Sequence, residues 1–410
     1  MCKHIGLLLY VGLFAMTATT SLAEPHSWTS LNGPYWVNGI DVAYGYNAGD
    51  QSWHRYLAGN DGQETRVFYW GYANPEWSLP QFPPSPLAAN KLISYKVGDN
   101  SHIAFGTVYE DRVWLSADGG ASWNGLPGSE QLPNKHFTSI EVPNSTVNPG
   151  NVVMVACAAQ QGVVSTFYTE DGGTEWQPIG ANSTVGWQVN DIEAFPEHIY
   201  TPKIAIATSN GIYTKLSEGW DDPWQYGAFQ GFNVPALESI DGEGTYYQVA
   251  AVEALPDNRC KLYFAGEQYP PWSNPVEIKM LPNGDSFNRR VRDIAAIYWG
   301  DSCISCYVAA DEGLFRVTYS DPSQAQLMDL ATLCPDISDD SGFTCVDYIF
   351  KSGMDVDSAL VLAGSHHSVY EITEVRDNKK HNLISLEARE AVQGTYYIGP
   401  DDAGTVKAAH

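Results

Sequence analysis

The chain has 410 residues, with 48 acidic against 22 basic side chains and a net charge of −26 at pH 7. A surface so acidic repels phosphate backbones, which argues against nucleic acid as a partner and makes anionic membranes poor ones. The length admits two or three ordinary domains or one large all-β repeat domain, and with aromatics at 12% of residues a substantial core can be built.

The first element is a leader. Lys3 and His4 precede an apolar run from Ile5 to Ala18, and Ser21-Leu22-Ala23 ends it with a small-residue site. This reads as a signal peptide over residues 1–23, cleaved after Ala23. The run is too short for a membrane span, and no later run reaches the ~18 uninterrupted apolar residues a span needs. The expectation is a soluble protein, secreted or periplasmic.

Short β-rich runs that end in a small residue then recur along the chain. They are "RYLAG" (Ala58), "HIAFG" (Phe105), "VVMVAC" (Ala156), "KIAIAT" (Ala207), "KLYFAG" (Ala265), "CYVAA" (Ala309) and "ALVLAG" (Ala363). A second column runs ahead of the first: "NGIDVAY", "KLISYKV", "TSIEVPN", "NDIEAFP", "AAVEALP", "RDIAAIY" and "TCVDYIF". A third run follows, and a Trp often closes the unit, as at Trp77, Trp123, Trp176 and Trp224. Each unit of roughly fifty residues predicts four short strands separated by Gly, Pro, Asn and Asp turns. No 3.6-residue periodicity competes with this after the leader. The predicted fold is all-β: a single β-propeller of seven four-stranded blades over residues 24–377, with an eight-bladed ring as rival. Residues 378–410 are expected as a closing strand or a tail.

Six cysteines follow the leader, and an even count in an exported chain permits disulfides. Cys334 and Cys345 flank the polar loop "PDISDDSGFT" and form the best candidate pair. Cys303 and Cys306 make a lone C-x-x-C without the second pair that a zinc site needs. Cys157, within "VVMVACAA", reads as a buried thiol.

Two stretches near the middle of the repeats share the pattern Ser/Thr-x-Asp-Gly-Gly-x-x-Trp. "SADGGASW" carries Ser116, Asp118, Gly120 and Trp123; "TEDGGTEW" carries Thr169, Asp171, Gly173 and Trp176. The pattern resembles an Asp-box, or BNR repeat. The families it resembles are sialidases, xyloglucan-active glycoside hydrolases, sortilin-type receptors and photosystem assembly factors. The resemblance implies a propeller whose boxes are peripheral hairpin turns rather than sites. Turn chemistry gives the same reading: the hydroxyl and carboxylate bond nearby backbone, the glycines permit positive φ, and the Trp plugs the turn.

Sialidase chemistry lacks its donors here. The Arg-Ile-Pro motif of that family is missing, and "LFRVT" comes late and without the proline. Arginine is scarce, and Arg289, Arg290 and Arg292 are local neighbours. A glycoside hydrolase needs two carboxylates across a cleft; Asp41 and Asp61 are the candidates the sequence offers. A polysaccharide lyase would draw on His54 with Tyr56, or His366 and His367 with Tyr370.

Acids follow the aliphatic anchor of the second column at Asp41, Glu141, Glu193, Glu253 and Asp347, with Asp191 and Asp293 just before it. If that column is the innermost strand, these carboxylates converge on one channel, where like charges call for hydrogen bonds or a cation such as calcium. No motif demands a cofactor. Trp187, Trp220, Trp224, Trp272 and Trp299 fall near loops and are candidate platforms for sugar stacking or protein contacts. Asn144 and Asn182 begin glycosylation sequons. The composite expectation is an exported binding module for a glycan or a protein. A glycoside hydrolase or polysaccharide lyase is the alternative, and a structural subunit of an extracellular assembly the third reading.

Overall fold

The computed structural model describes residues 38–393 apart from connecting segments at 48–51, 61–64, 72–73, 79–88, 98–99, 108–111, 117–123, 133–136, 143–152, 158–165, 181–186, 195–203, 216–219, 221, 243–244, 267–271, 273, 280–285, 301–302, 320–325, 330–341, 352–355, 366–367 and 381–382. Seven antiparallel sheets of four strands follow one another along the chain. Their inner strands are Asn38–Asn47, Ala89–Val97, Phe137–Glu141, Val189–Ala194, Ala236–Gly242, Val291–Gly300 and Phe343–Lys351, which define blades one to seven. Each inner strand packs against that of the next blade, and blade seven's packs against blade one's, so the ring closes. The fold is a seven-bladed β-propeller. Among the described residues the helical turns include Ser129–Gln131 and Pro256–Asn258. None is long and apolar enough to cross a membrane.

Blade geometry explains why the strands read as continuous apolar runs. A blade's second strand has sheets on both faces, so Ile204–Thr208 in blade four and Cys303–Ala310 in blade six are buried at every position. The core lies between blades. Ile294, Ile304 and Val308 of blade six pack against Val249, Leu262 and Phe287 of blade five. Ala295, Ile297 and Tyr307 pack on the other side against Val346, Val361 and Ile372 of blade seven.

The repeat phase slips in blade five. "KLYFAG", whose Ala265 was expected in a second strand, belongs to the third strand, Arg259–Gly266. "AAVEALP" lies in the second strand, Thr245–Leu255, and the inner strand is instead "ALESIDG". The outer strand of blade seven runs Leu383–Gln393, pairing with Ser368–Asp377, within the segment expected as a closing strand or tail.

The turn at 169–176 joins the third strand of blade three, Thr166–Thr169, to its fourth, Gln177–Pro178. Thr169 Oγ1 donates to Asp171 Oδ1 at 2.8 Å and accepts from Gly173 N–H at 2.9 Å. Asp171 Oδ1 also accepts the Glu175 N–H at 3.0 Å, and these donors hold its carboxyl below the usual range. Trp176 Nε1 crosses to the previous blade and donates to Pro127 O at 2.9 Å. Gly173 sits at φ 93°, where an added Cβ would lie 2.6 Å from both Leu126 Cγ and Pro127 O. The motif is therefore a clasp between blades two and three. Blade four repeats the arrangement: Gly180 sits at φ 68° with Trp224 Cδ1 2.6 Å from a notional Cβ. In the first copy, Ser116 ends a strand, whereas Asp118, Gly120 and Trp123 lie outside the described residues.

A buried charge cluster ties blade six to blade seven. Glu374, fully buried, accepts Arg316 Nη2 at 2.5 Å and Nε at 2.9 Å, Arg376 Nε at 2.6 Å and the Tyr307 hydroxyl at 2.5 Å. Burial alone would raise its pKa, but the hydrogen bonds and charge of Arg316, joined by Arg376, outweigh that and hold the carboxyl below its ordinary value.

Candidate functional site

Inner-strand bulges set the chemistry of the ring's centre. In six blades the residue at the bulge faces a small residue of the second strand: Asp41 opposite Ala58, Lys91 opposite Gly106, Ser139 opposite Ala156, Asp191 opposite Ala207, Asp293 opposite Ala309 and Cys345 opposite Gly364. Two residues further along the same strand face come Glu141, Glu193 and Asp347. Expected as one column, the acids thus form two layers, and Asp41 belongs in register with Asp191 and Asp293. Glu253 leaves the set: it lies in a second strand, and its backbone N–H donates to Asn233 O at 2.9 Å. Glu238 of "ALESIDG" takes the inner position, and its signal was the aliphatic–acid pair Leu237-Glu238.

One basic residue was missed. Lys91 of blade two reaches Asp293 of blade six, Nζ to Oδ1, at 3.7 Å. Those blades are not neighbours, so the contact spans the middle of the ring. The ammonium also offsets the charge of Glu141, Glu193 and Glu238. The acids interlock across blades. Asp191 Oδ1 accepts Ser139 Oγ at 2.8 Å, Asp293 Oδ2 accepts Val346 N–H at 2.9 Å, and Glu193 Oε2 accepts Ser239 N–H at 3.4 Å.

Burial, reinforced by Asp191, pushes the Glu141 carboxyl up to about 8. Glu193 and Glu238 are raised as well, by burial first and then by neighbouring carboxylates. Asp293 is raised by burial, against the pull of Lys91. The centre is therefore a cluster of carboxyls whose burial and mutual repulsion favour the protonated form, and in which Lys91 supplies a cation from the chain itself. Among the described residues no group of three His, Cys, Asp or Glu side chains is arranged to hold a metal ion.

Of the aromatic candidates, two are interior. Trp272 is 1% exposed and donates to Gln248 Oε1 at 2.6 Å; Trp299 is 3% exposed and donates to Ser305 Oγ at 2.9 Å. They plug blades, a role that only packing distinguishes from a rim position. Trp224 covers Gly180, and Trp220 stacks on Tyr168 with centroids 3.8 Å apart while its Nε1 bonds Glu170. Trp187 packs half-buried against the same core, stacking on the buried Tyr213 at 4.8 Å, and Tyr213 in turn meets Tyr226 edge-on at 5.9 Å.

Antiparallel order puts the turn between the second and third strands, and the link from each blade to the next, on one face of the ring. On that face of blade four, Tyr226 is 53% and Phe232 44% exposed. The Tyr226 hydroxyl accepts Gln230 N–H at 2.9 Å, Asn210 Oδ1 accepts Gly231 N–H at 3.0 Å, and Asn210 Nδ2 donates to the Tyr213 hydroxyl at 3.1 Å. Gln188 and Gln230 are exposed beside them. The result is two exposed rings, Tyr226 and Phe232, backed by Tyr213 and Trp187 and edged by amides, and sequence reasoning found only Trp187 of it.

Asp41 lies in the inner strand of blade one, and Asp61 lies outside the described residues. Cys345 is buried, and its expected partner Cys334 is outside the described residues. Cys303 and Cys306 are buried free thiols, with burial raising both above the usual thiol range. His54 and Tyr56 fall on blade one's second strand; His366, His367 and both sequons lie outside the described residues.

No family model and no curated protein matches this chain. Solved structures do, at the level of fold. An ancestral GH74 enzyme superposes with a TM-score of 0.59 at 14% identity, over 89% of this chain and 47% of its own. The GH74 xyloglucanase from Xanthomonas campestris gives 0.55 at 12% identity, over 90% and 56%. The chain thus spans about half the length of these two enzymes. Sqt1 from Chaetomium thermophilum, solved bound to the N-terminus of ribosomal protein L10, gives 0.52 at 11% identity, over 87% and 88%.

Proposed function

We propose that this protein is an exported propeller of the Asp-box type that binds an uncharged glycan through the rim of blade four. The observation that carries the reading is the exposed pair Tyr226 and Phe232, with Tyr226 set edge-on against the buried Tyr213 and the half-buried Trp187 stacked behind it. Flat rings offer apolar faces to the C–H surfaces of sugars, and Gln188, Asn210 and Gln230 offer both donors and acceptors to hydroxyls. Because the groups named here are aromatic or amide side chains rather than charged ones, a neutral, hydroxyl-rich chain suits the surface better than an ionic one. The signal-peptide pattern read over residues 1–23 supports export to where such glycans occur.

The test is affinity electrophoresis of the mature chain in gels containing xyloglucan, cellulose derivatives or mannan, followed by a reducing-sugar assay on whichever glycan retards it. Retardation by a neutral glycan without release of reducing ends is the expected result. Release of reducing ends would replace the binding module by a glycoside hydrolase, and an unretarded protein on every neutral glycan would remove the reading.

A further inference from the structure

We infer that the turns of blades five and six form a docking surface for an acidic segment of a partner protein, a site separate from the glycan rim. Four of the chain's ten arginines gather there: Arg259, Arg289, Arg290 and Arg292. The turn that starts the gathering is held in an unusual backbone, with Asp257 at φ 62° and Asn258 at φ 57°. Cys260 N–H then donates to Arg289 O at 2.6 Å, and this bridge brings Arg259 alongside Arg289. Both guanidinium groups turn onto one carbonyl. Arg289 Nη1 donates to Asn288 O at 2.7 Å and Arg259 Nη1 at 3.3 Å. Arg290 Nε donates to Asp257 O at 2.9 Å.

The pairing pattern is what makes this a site. Arg292 is matched by Asp311 in a two-pronged pair at 2.6 and 2.9 Å. Arg259 has Glu312 at 3.5 Å, and that same carboxylate accepts the Arg290 backbone N–H at 2.8 Å. Arg289 and Arg290 form no salt bridge with any carboxylate among the described residues. Their side chains are oriented by neutral carbonyls, which fix the forks without cancelling the charge, and most of their five N–H donors each stay unused. Two further acids are near: Asp257, whose carbonyl rather than its carboxylate meets Arg290, and Glu253, whose charge acts on Arg292.

Two features select the partner. The protein as a whole carries −26, so a long polyanion would meet repulsion beyond the patch, whereas a short acidic stretch stays within about one Debye length of the arginines. Sugar stacking also lacks a surface here, because Arg289 already lies over the Phe315 ring at 4.9 Å from its centroid. Carboxylate side chains of a peptide need only the two-pronged N–H geometry that Arg289 and Arg290 present.

The test uses a fluorescein-labelled hexaglutamate peptide, followed by fluorescence anisotropy against the mature protein at low and at physiological salt. The wild type should bind at low salt and weaken as salt rises. R289A/R290A should lose at least about tenfold in affinity, as removal of two charged donors implies. R289K/R290K should recover part of it. Arg290 is exposed and Arg289 is half-buried over Phe315, so the melting temperature of each variant checks that the ring stays folded. Absence of wild-type binding, or unchanged binding by the alanine variant, would overturn the inference. So would a sulfated oligosaccharide of equal charge that binds as tightly and with the same sensitivity to substitution.

Discussion

Replacing Lys91 by Met keeps a straight apolar stem and removes only the ammonium that spans the ring. That ammonium lies 3.7 Å from Asp293, with side-chain exposures of 25% and 11%, and it also offsets Glu141, Glu193 and Glu238. A unit pair near 4 Å is worth about 4 kcal/mol at an effective dielectric of ~20. The quarter exposure of Lys91 screens part of this, and the acids relieve more by taking up protons. The net loss should be about 2 kcal/mol near pH 8.5 and under about 1 kcal/mol near pH 5, where protonated carboxyls no longer need a counter-charge. Urea unfolding of K91M and wild type at both pH values, followed by tryptophan fluorescence, measures the difference. Equal stability of the two proteins at the higher pH, or the same loss at both, would refute the claim that Lys91 neutralises the central acids.

Other substitutions probe separate parts of the account. The Glu141 carboxyl is raised from 4.5 to about 8, so its stabilising contribution is complete below about pH 4.5 and is lost as pH rises through about 8. The melting temperature of wild type should therefore fall across that interval, and E141Q should flatten the fall. G173A places a Cβ against Leu126 and Pro127 at positive φ and should cost about 2–3 kcal/mol by thermal melting; G231A, at φ 88° with open space around it, should cost only about 1 kcal/mol. E374Q leaves Arg316 and Arg376 facing a neutral group in the interior and should cost about 3 kcal/mol, while D311N at the exposed pair with Arg292 should cost under about 1 kcal/mol in the same urea titration.

The ring was legible because four short strands separated by turn residues recur about every fifty residues, and because the second strands carry a run of small and aliphatic residues that double-sided burial explains. Blade five misled for a physical reason. Its third strand ends in Ala265-Gly266, imitating the small residues of a second strand, and only pairing of Ala265 with Gln248 reveals its place.

The centre was half legible. Acids beside aliphatic anchors pointed inward, but β-bulges shift register by one residue, and bulges leave no reliable mark in sequence. That is why Asp41 and Glu141 looked equivalent and are not. Lys91 was overlooked because its partner is on blade six, a contact between positions some two hundred residues apart that only the closed ring creates. The tryptophans were ambiguous at the outset, since a Trp beside Pro and Asn serves equally as a plug or as a platform. Glycines at positive φ beneath Trp176 and Trp224 decide for the plug.

The claim that blade four's rim holds an uncharged glycan is tested most directly by isothermal titration of the mature protein with the neutral oligosaccharide that retards it in gels, alongside Y226A and F232A. Both side chains are about half exposed, and thermal melting of each variant shows that the ring stays folded. The account predicts that each weakens binding by about tenfold, the share of one stacked ring. Wild-type affinity in both variants would contradict it.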